Sequence, residues 1–476
     1  MEDKMNTLSA TIIAVYLCVI VGFVLWAGRG TKTFKDYALG SGKLPWYALS
    51  ATILAALIGG GVMMGYVGSF YQYGVMYFWM CAALVGAQLL MAYVVAERMR
   101  RFQVFTIADI FEMRYSKRAK LICGIINMSV GIAVGFAMLS SFSTLISGYL
   151  GISLDLARLI GVVLFIVTTT LGGFKGVALT NIIQAIIILG GALTVGVFSY
   201  FHAGGVAGIS QLPEHLLDMM SPNIPIVTFL GSVVSAFCMG MADQSTTFQS
   251  VNAARSPKEA RRAVCVSAWC SLLCMVLIMT MGLSARVLVG EGLSGNNVIV
   301  ELLKVTPSFI ATFYSAAIIA AVMTTANAMY ISASMTFSRD LLPLAKPDIS
   351  DKTQVVMGRV FVCIMTIISF FVIKYVPSIM RWIMLGYSCI SCLVIPLYGG
   401  VLIKKATPAS GELGLGLAIA GVLAWEIMGN PYGISSAFLA IGLGTAGFVA
   451  GFFSNRKATE EQQGLVDIFK AKRVKK

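Results

Sequence analysis

The chain has 476 residues, of which 58% are hydrophobic and only 12% are charged. This composition excludes an ordinary soluble domain and predicts a protein that is largely embedded in lipid. The formal net charge is +14, but the basic residues follow the predicted membrane topology, so nucleic acid is not an expected partner.

Apolar runs of about 20 residues predict thirteen membrane spans and an all-α polytopic fold. The first run follows one lysine and lacks a small-residue cleavage site, so it is interpreted as a retained helix and not as a signal peptide. A single transmembrane domain is expected over residues 1–453. The predicted spans are 8–28, 46–73, 78–96, 121–149, 159–178, 179–201, 226–247, 263–287, 308–336, 360–376, 379–403, 411–428 and 434–453.

Positive charge falls mostly on one side of this topology. Cytoplasmic loops are enriched in Lys and Arg, so the distribution predicts a plasma or inner membrane protein with its N-terminus outside and its C-terminus inside. Residues 454–476 are expected to form a solvated cytoplasmic basic tail near anionic lipid, with a short interfacial helix as the alternative. Of the 35 Lys and Arg residues, the side opposite to the cytoplasm would hold Lys4, Arg158, Arg286, Lys304, Lys374 and Arg381.

The second span contains three consecutive glycines, Gly59 to Gly61, in the middle of an apolar segment. Non-helical backbone at bilayer depth persists only where protein or a wet cavity surrounds it. Such a break exposes carbonyl oxygens that suit a cation and amide groups that suit a solute, so it indicates a transporter.

The ninth span offers oxygen ligands for a cation. Residues three and four apart share a helix face, so the Ala321 carbonyl is expected near the hydroxyls of Thr324 and Thr325. Sodium is a hard cation that prefers oxygen, and the backbone at Ala55 to Ile58 would supply further carbonyls. The alternative is that each threonine hydroxyl bonds only the preceding turn of its own helix.

Signatures of enzymes and pumps are not found. The sequence contains no G-x-S-x-G, H-E-x-x-H or phosphate-loop motif, so uphill transport would draw on an ion gradient. The ten cysteines fall in predicted spans and are expected to be free thiols; the Cys389–Cys392 pair is interpreted as packing and not as a metal site. No cofactor is expected other than the coupling ion.

Six motifs, in their order and spacing, resemble the sodium:solute symporter family, whose members are similar to broken-helix carriers of the LeuT type. The resemblance extends over most of the chain. The motifs are FKDYALGSGKLPW (34–46), GYVGSFYQYG (65–74), TIADIFEMRY (106–115), LGGFKGVALTNIIQ (171–184), DQSTTFQSVNAARSPKEARRA (243–263) and AAVMTTANAMYISASMTFSRDL (320–341).

The resemblance implies a core of two inverted repeats of five helices, over about 46–201 and 226–403. Span one (8–28) and the last two spans (411–453) would lie outside this core. The sodium ligands implied by the resemblance are the carbonyls of Ala55, Ile58 and Ala321 and the hydroxyls of Thr324 and Thr325.

One departure from the family affects the coupling ion. Members commonly have Asp in the T-D-x-x-Q stretch, on the sodium route to the cytoplasm, where this chain has Asn181. The neutral five-oxygen site is unaffected, but sodium capture from the cytoplasm would be weaker. A proton-coupled or weakly coupled carrier is therefore the alternative to a sodium symporter.

The expected solute is an amino acid, a carboxylate or a vitamin-like acid. Positions that match sugar contacts in galactose-carrying members are the apolar Val62, Cys81 and Leu84, and unpaired sugar hydroxyls are costly in a dry pocket. The amides at Gly60 and Gly61 would suit an anionic end.

The remaining candidate solute contacts are Asp243 and Gln244 in the seventh span. A carboxylate inside the membrane is a functional candidate that would pair with a substrate ammonium. The equal alternative is that Asp243 lies near the cytoplasmic mouth and holds loop residues such as Arg255.

Together these features predict a secondary symporter that takes up a small organic solute with sodium by alternating access, with the lipid bilayer as its surroundings. A channel is disfavoured because the polar groups cluster at one break. A membrane solute sensor acting through a partner is the alternative of another class. The sequence leaves the oligomeric state open.

Overall fold

We describe the protein from a computed structural model. It describes residues 11, 15–22, 44–220, 225–345, 349–376 and 378–470, without the side chains of residues 171–176, 244, 246, 344 and 345. Regular secondary structure within these residues is helical, with one isolated bridge between Leu44 and Ala254. The predicted all-α fold is confirmed.

Residues 15–22 are helical, and the described residues 44–220 contain nine α-helices, with π turns at Gly61–Tyr66 and Met91–Val95 and 3₁₀ turns at Gly74–Tyr77 and Arg100–Phe102. The helices are α1 (Trp46–Leu57), α2 (Val67–Tyr73), α3 (Phe78–Leu90), α4 (Ala96–Met99), α5 (Ile107–Arg114), α6 (Lys117–Leu150), α7 (Leu154–His202), α8 (Gly205–Ile209) and α9 (Glu214–Leu217).

The described residues from 225 to 470 contain eleven more, with π turns at Gln244–Phe248 and Thr336–Leu341 and 3₁₀ turns at Pro431–Gly433 and Gly451–Phe453. The helices are α10 (Ile226–Ala242), α11 (Gln249–Ala253), α12 (Pro257–Leu288), α13 (Val298–Lys304), α14 (Ser308–Met335), α15 (Leu342–Ala345), α16 (Asp351–Val372), α17 (Ile379–Leu402), α18 (Pro408–Ile427), α19 (Ser436–Ala450) and α20 (Glu460–Lys470).

Helices occupy the predicted spans from the second to the thirteenth. Nine helical stretches within the described residues are long and apolar enough to cross a membrane, and two shorter apolar helices, α1 and α10, end at breaks inside predicted spans. The number of thirteen spans stays a prediction, because the first span (8–28) lies largely outside the described residues. The helix that covers the tenth predicted span begins before residue 360, at Asp351, where Ser350 caps it.

The bounds of α7 enclose the fifth and sixth predicted spans. The contacts of α7 with α14 show that the chain runs in opposite directions in these two spans. Tyr149, just before α7, hydrogen-bonds a threonine near the start of α14 (2.9 Å). Thr169 then donates to Asn327, about four turns further along α14 (2.8 Å). Gly191 lies back beside Tyr314, near the start of α14. The chain therefore descends and returns along α14, as two separate spans require.

Helix packing follows a two-fold pattern that relates spans two to six to spans seven to eleven. Helix α1 packs against α12 and α7, and the equivalent helix α10 packs against α3 and α17. Helix α6 packs against α17, as α14 packs against α7, and α6 and α14 pack against each other. Moving each helix five spans along the chain exchanges these pairs, which is the packing expected of an inverted repeat. The repeat boundaries at 46–201 and 226–403 stay predictions.

We define the basic end of the molecule by Arg100, Arg114, Arg255, Arg339 and Lys404. The backbone holds several of these side chains: Arg100 donates to the Ala254 carbonyl (3.0 Å), and Arg114 donates to the carbonyls of Gly400 (2.7 Å) and Ile403 (2.9 Å). Helices α12, α14 and α17 each have one terminus at this end.

The opposite termini of the same helices carry a few ion pairs. Arg286 pairs with Glu291 (2.8 Å) after α12, and Lys374 before α17 pairs with Asp155 (3.2 Å). Within the described residues, the basic loops that the sequence assigns to one side of the membrane therefore meet at one end of the structure.

Residues 460–470 form helix α20, which docks on the basic end. The Phe469 ring stacks on Phe102 (6.4 Å between centroids), the Gln462 amide donates to the Tyr115 carbonyl (3.0 Å), and Asp467 pairs with Lys404 (2.7 Å). The expectation of a solvated tail is wrong for these residues, because apolar side chains spaced along one face of α20 are buried against the transmembrane core.

Candidate ion and solute site

The second span is broken where the sequence places the three glycines. Helix α1 ends at Leu57, and Ile58 leaves the helical conformation (φ −81°, ψ 55°) before a π turn begins at Gly61. Ile58 and all three glycines are buried. The break therefore lies inside the protein, where irregular backbone is tolerated in a membrane.

Glycine is required here because other helices approach the break closely. A methyl group on Gly59 would overlap the hydroxyl of Thr325, and one on Gly60 would overlap Val322. On Gly61 it would overlap Ile383 of α17. The absence of side chains thus allows α14 and α17 to contact the backbone of the break.

Threonine hydroxyls from α14 reach the last carbonyls of α1. Thr324 Oγ1 lies within hydrogen-bond distance of the Ala55 carbonyl (2.7 Å) and of the Ala321 carbonyl of its own helix (2.9 Å), which share its one proton. Thr325 Oγ1 lies 2.8 Å from the Ala56 carbonyl and 3.4 Å from that of Ala55. The hydroxyls are not confined to their own helix: they link two spans that are about 270 residues apart in the chain.

Four of the five groups predicted for sodium are thereby brought together: Ala55, Ala321, Thr324 and Thr325, all almost fully buried. The hydroxyl contacts involve the Ala55 and Ala56 carbonyls and not that of Ile58, the fifth predicted group. Ala56 lies within the Ala55 to Ile58 backbone that the sequence predicted as a source of carbonyls, but it was not among the five individually predicted ligands.

A second break lies in the seventh span, where helix α10 ends at Ala242. Asp243 has extended backbone (ψ 118°), and a π turn follows over Gln244–Phe248. Asp243 Oδ1 accepts hydrogen bonds from the Ser245 amide (3.1 Å) and the Ser245 hydroxyl (2.7 Å). The acidic residue at the end of an apolar run was the signal for this break, and sequence reasoning did not use it.

Between the two broken spans lies a cavity of about 20 Å³, enough for about one water molecule. The lining is mostly apolar, with hydroxyls from Thr325 and Tyr387. It is formed by Ala56, Leu57, Gly59, Gly61, Val62, Val134, Met138, Met239, Thr325, Met329, Ile383 and Tyr387.

Two of the five predicted solute contacts, Gly61 and Val62, line this cavity. Gly60 faces Val322 and does not contribute to the lining. Asp243 is buried but also lies outside the lining, and the side chain of Gln244 is outside the described part of the chain.

Comparison with known proteins identifies the family. The model of the sodium:solute symporter family matches residues 37–403. The chain belongs to the sodium:solute symporter family. This symporter is 25% identical over 445 residues to the sodium/glucose cotransporter of Vibrio parahaemolyticus, covering 84% of this chain and 77% of the relative. It is 25% identical over 367 residues to the sodium/pantothenate symporter of Escherichia coli, covering 71% and 72%.

Solved structures show the same fold. A Na⁺-coupled sialic acid symporter in a substrate-bound outward-open state has a TM-score of 0.80 with this chain at 18% identity, covering 94% of this chain and 98% of the other. A nucleobase-cation-symport-1 family transporter follows at a TM-score of 0.56. The broken-helix fold of the LeuT type is confirmed, and family membership identifies the protein as a membrane symporter that couples uptake of a small solute to sodium.

Asn181, predicted on the ion-release route of this symporter, is fully buried in α7. Neither polar atom of its side chain has a hydrogen-bond partner among the described residues. Helix α7 packs against both α1 and α14, which carry the oxygen cluster. A buried amide without partners is costly, so this position is suited to a transient polar ligand.

A second, polar cavity of about 290 Å³ lies toward the end opposite the basic end. Ser69 and Gln72 of α2 line it together with Asn296 and Ser378. Gly65 and Met380 form part of its wall, and a methyl on Gly65 would contact Met380. The symporter thus has a polar vestibule on the far side of the first break.

Proposed function

We propose that the oxygen cluster between α1 and α14 binds the coupling sodium ion. The contacts of Thr324 and Thr325 with the Ala55 and Ala56 carbonyls carry this proposal. They join the last turn of the broken helix to a helix of the other predicted repeat. An ion held there would act on both repeats at once.

Ion binding at this cluster is coupled to movement of α1 relative to α14. Sodium is close in size to calcium, whose oxygen ligands lie at about 2.3–2.6 Å, so neighbouring ligands at right angles are about 3.4 Å apart. Thr324 Oγ1 lies only 2.7 Å from the Ala55 carbonyl and 2.9 Å from that of Ala321. Sodium would replace these hydrogen bonds and separate the oxygens by several tenths of an ångström.

The proposed solute is small, with an apolar body and a polar or anionic end. Val62, Met138, Met239 and Met329 present apolar surface to the cavity between the two broken spans, and methionine adapts to different shapes. Many sugar hydroxyls would stay unpaired against this surface. Pantothenate, the solute named for one relative, therefore suits this lining better than glucose, the solute named for another. An amino acid or a small carboxylate would suit it equally well.

The basic end is proposed to face the cytoplasm. The loops that meet there carry most of the Lys and Arg residues, which is the distribution of the positive-inside rule. Under this orientation the polar vestibule opens to the outside, and solute enters past Gly65 and Met380. Alternating access then requires the first break to open toward the basic end.

Asn181 favours a second coupling mode. A neutral amide on the proposed ion-release route attracts sodium less than a carboxylate would, and its side chain has no hydrogen-bond partner among the described residues. Weakly coupled or proton-coupled transport by the same fold is therefore the second candidate.

The experiment measures thermal stability and solute uptake in proteoliposomes, with sodium compared with potassium and with a pH gradient. We expect sodium to stabilise the wild type, since a ligand that binds only the folded state raises stability by mass action. Thr324→Ala with Thr325→Ala should lower the apparent sodium affinity at least tenfold. The matched control is Ser315→Ala on the same helix, whose buried hydroxyl bonds only the preceding turn. An unchanged sodium response in the double variant contradicts the proposed site, and uptake driven by pH alone favours the second candidate.

A further inference from the structure

A cavity of about 370 Å³ lies on the lateral surface at the basic end, away from the ion and solute site. The end of the third span and the first turns of α12 form its walls. Tyr93 and Glu97 line it from the first of these elements, and Lys258, Arg261 and Arg262 line it from the second. Three cationic groups and one carboxylate thus meet in one concave site.

Two of the cationic side chains are held in place by aromatic rings. The Arg261 guanidinium lies over the Tyr93 ring (5.1 Å to the centroid) and 3.5 Å from the Glu97 carboxylate. The Arg262 guanidinium lies over the ring of Trp46 (3.9 Å). Lys258 is exposed and forms no ion pair with any described residue. The site therefore has excess positive charge that its own acid does not neutralise.

An apolar track begins where the charges end. Counting in steps of about one turn from Lys258, the same face of α12 presents Arg261, then Cys265, Trp269 and Leu273. Trp269 and Leu273 are 54% and 53% exposed. Along one face of α12, the cationic side chains of Lys258 and Arg261 are thus followed by an exposed aromatic and aliphatic surface.

We propose that this cavity binds the headgroup of an anionic phospholipid. The phosphate contacts Lys258 and Arg261, and an acyl chain lies along Trp269 and Leu273. Charge complementarity selects an anionic lipid over a zwitterionic one, and basic pockets between membrane helices are suited to such headgroups. The apolar track selects a lipid over a free phosphate ion. The proposal does not depend on the sodium site or on the solute.

Lipid occupancy would also affect the broken helix. Trp46, which packs against Arg262, is the first residue of α1, and Ser50 of α1 donates to the Ala263 carbonyl (3.1 Å). A headgroup between the third span and α12 holds the start of α12 in place beside α1.

The test titrates the full-length purified protein in neutral detergent with phosphatidylglycerol, phosphatidylcholine or inorganic phosphate, and counts bound lipids by native mass spectrometry. We expect phosphatidylglycerol to bind at least tenfold more tightly than phosphatidylcholine. Lys258→Gln with Arg261→Gln should weaken phosphatidylglycerol binding at least tenfold. Lys117→Gln with Arg118→Gln removes the same charge from exposed positions at the same end and should change binding less than twofold.

A second variant does not rely on removing a packed arginine. Glu97→Gln removes the one carboxylate of the cavity and should tighten phosphatidylglycerol binding severalfold. Equal loss in the Lys117 and Arg118 control overturns the proposal, because it shows non-specific attraction. Competition by inorganic phosphate at the concentration of lipid phosphate also overturns it, because the site would then bind a free anion. Weaker binding by Glu97→Gln does the same.

Discussion

The two broken spans occupy equivalent places in the packing pattern but are stabilised in different ways. At the first break, the free carbonyls of Ala55 and Ala56 are paired by hydroxyls from α14. At the second, the Asp243 carboxylate accepts hydrogen bonds from the amide and the hydroxyl of Ser245, two residues further along the chain. Both breaks contact another helix, since Tyr398 of α17 donates to the Met241 carbonyl just before the second break (2.6 Å), but the second is in addition capped by its own side chain.

This difference indicates which of the two breaks changes conformation during transport. A break whose carbonyls depend on a separate helix changes when that helix moves or when an ion replaces the hydroxyl contacts. A break that also has a cap from its own side chain keeps more of its shape when a neighbouring helix moves. We therefore expect ion-dependent changes at the first break and a constant conformation at the second.

The largest effect should come from filling the first break. In Gly59→Ala the added methyl overlaps the Thr325 hydroxyl, so α14 must move away from α1. We expect at least tenfold lower sodium-driven uptake and a loss of about 1–3 kcal/mol in stability, as for other overpacked sites. Gly416→Ala is the control, because nothing lies within 4 Å of a methyl there. Normal uptake by Gly59→Ala would show that close contact at this break is dispensable.

A smaller effect is expected from removing the cap of the second break. Asp243→Ala leaves the Ser245 amide without its partner, and the loss of a cap costs about 1–2 kcal/mol. Asp243→Asn keeps an acceptor oxygen and should retain most of the stability. Thermal unfolding and uptake assays would be run on both variants.

The two Asp243 variants also test the alternative that this carboxylate binds a substrate ammonium. If Asn at this position keeps the wild-type stability but abolishes uptake, the carboxylate contacts the solute and the second break is not merely structural. Uptake by Asp243→Asn within about threefold of wild type agrees with a cap.

The sequence predicted the first break and missed the second for a physical reason. Three glycines in an apolar span have few explanations other than close packing of backbone. Asp243 had two equal explanations, a solute contact or a partner for loop residues, and neither was a helix end. Only three-dimensional contacts show that its carboxylate reaches Ser245.

The oxygen cluster was predictable only in part. Helix periodicity places Thr324 and Thr325 near Ala321 but does not pair the ninth span with the second, and the family resemblance supplied that pairing. Whether the Ala56 carbonyl is free to contact Thr325 depends on where α1 ends, and the structure places that end at Leu57. Docking of α20 was missed because its apolar residues are few and it follows a polar stretch.

A moderate effect on ion dependence is expected at Asn181. Asn181→Asp places a carboxylate beside the helices that carry the first break, and opposite charge attracts sodium more strongly at low dielectric. We expect the sodium concentration for half-maximal uptake to fall by about three- to tenfold, which corresponds to about 0.7–1.4 kcal/mol. An unchanged or higher sodium requirement would separate Asn181 from the ion route, and Asn127→Asp in α6 is the control for adding a buried charge elsewhere.

The smallest effect should come from Ser245→Ala. This variant removes one hydroxyl donor from Asp243 and a contact with the Met329 sulfur of α14 (2.9 Å), but it keeps the amide contact at 3.1 Å, so the cap persists in weakened form. Loss of a single hydrogen bond costs about 0.5–1.5 kcal/mol. Thermal unfolding should show that loss equally in sodium and in potassium, because a locally capped break does not sense the ion. A destabilisation seen only in sodium would show that the second break also responds to the ion, and the contrast between the two breaks would no longer hold.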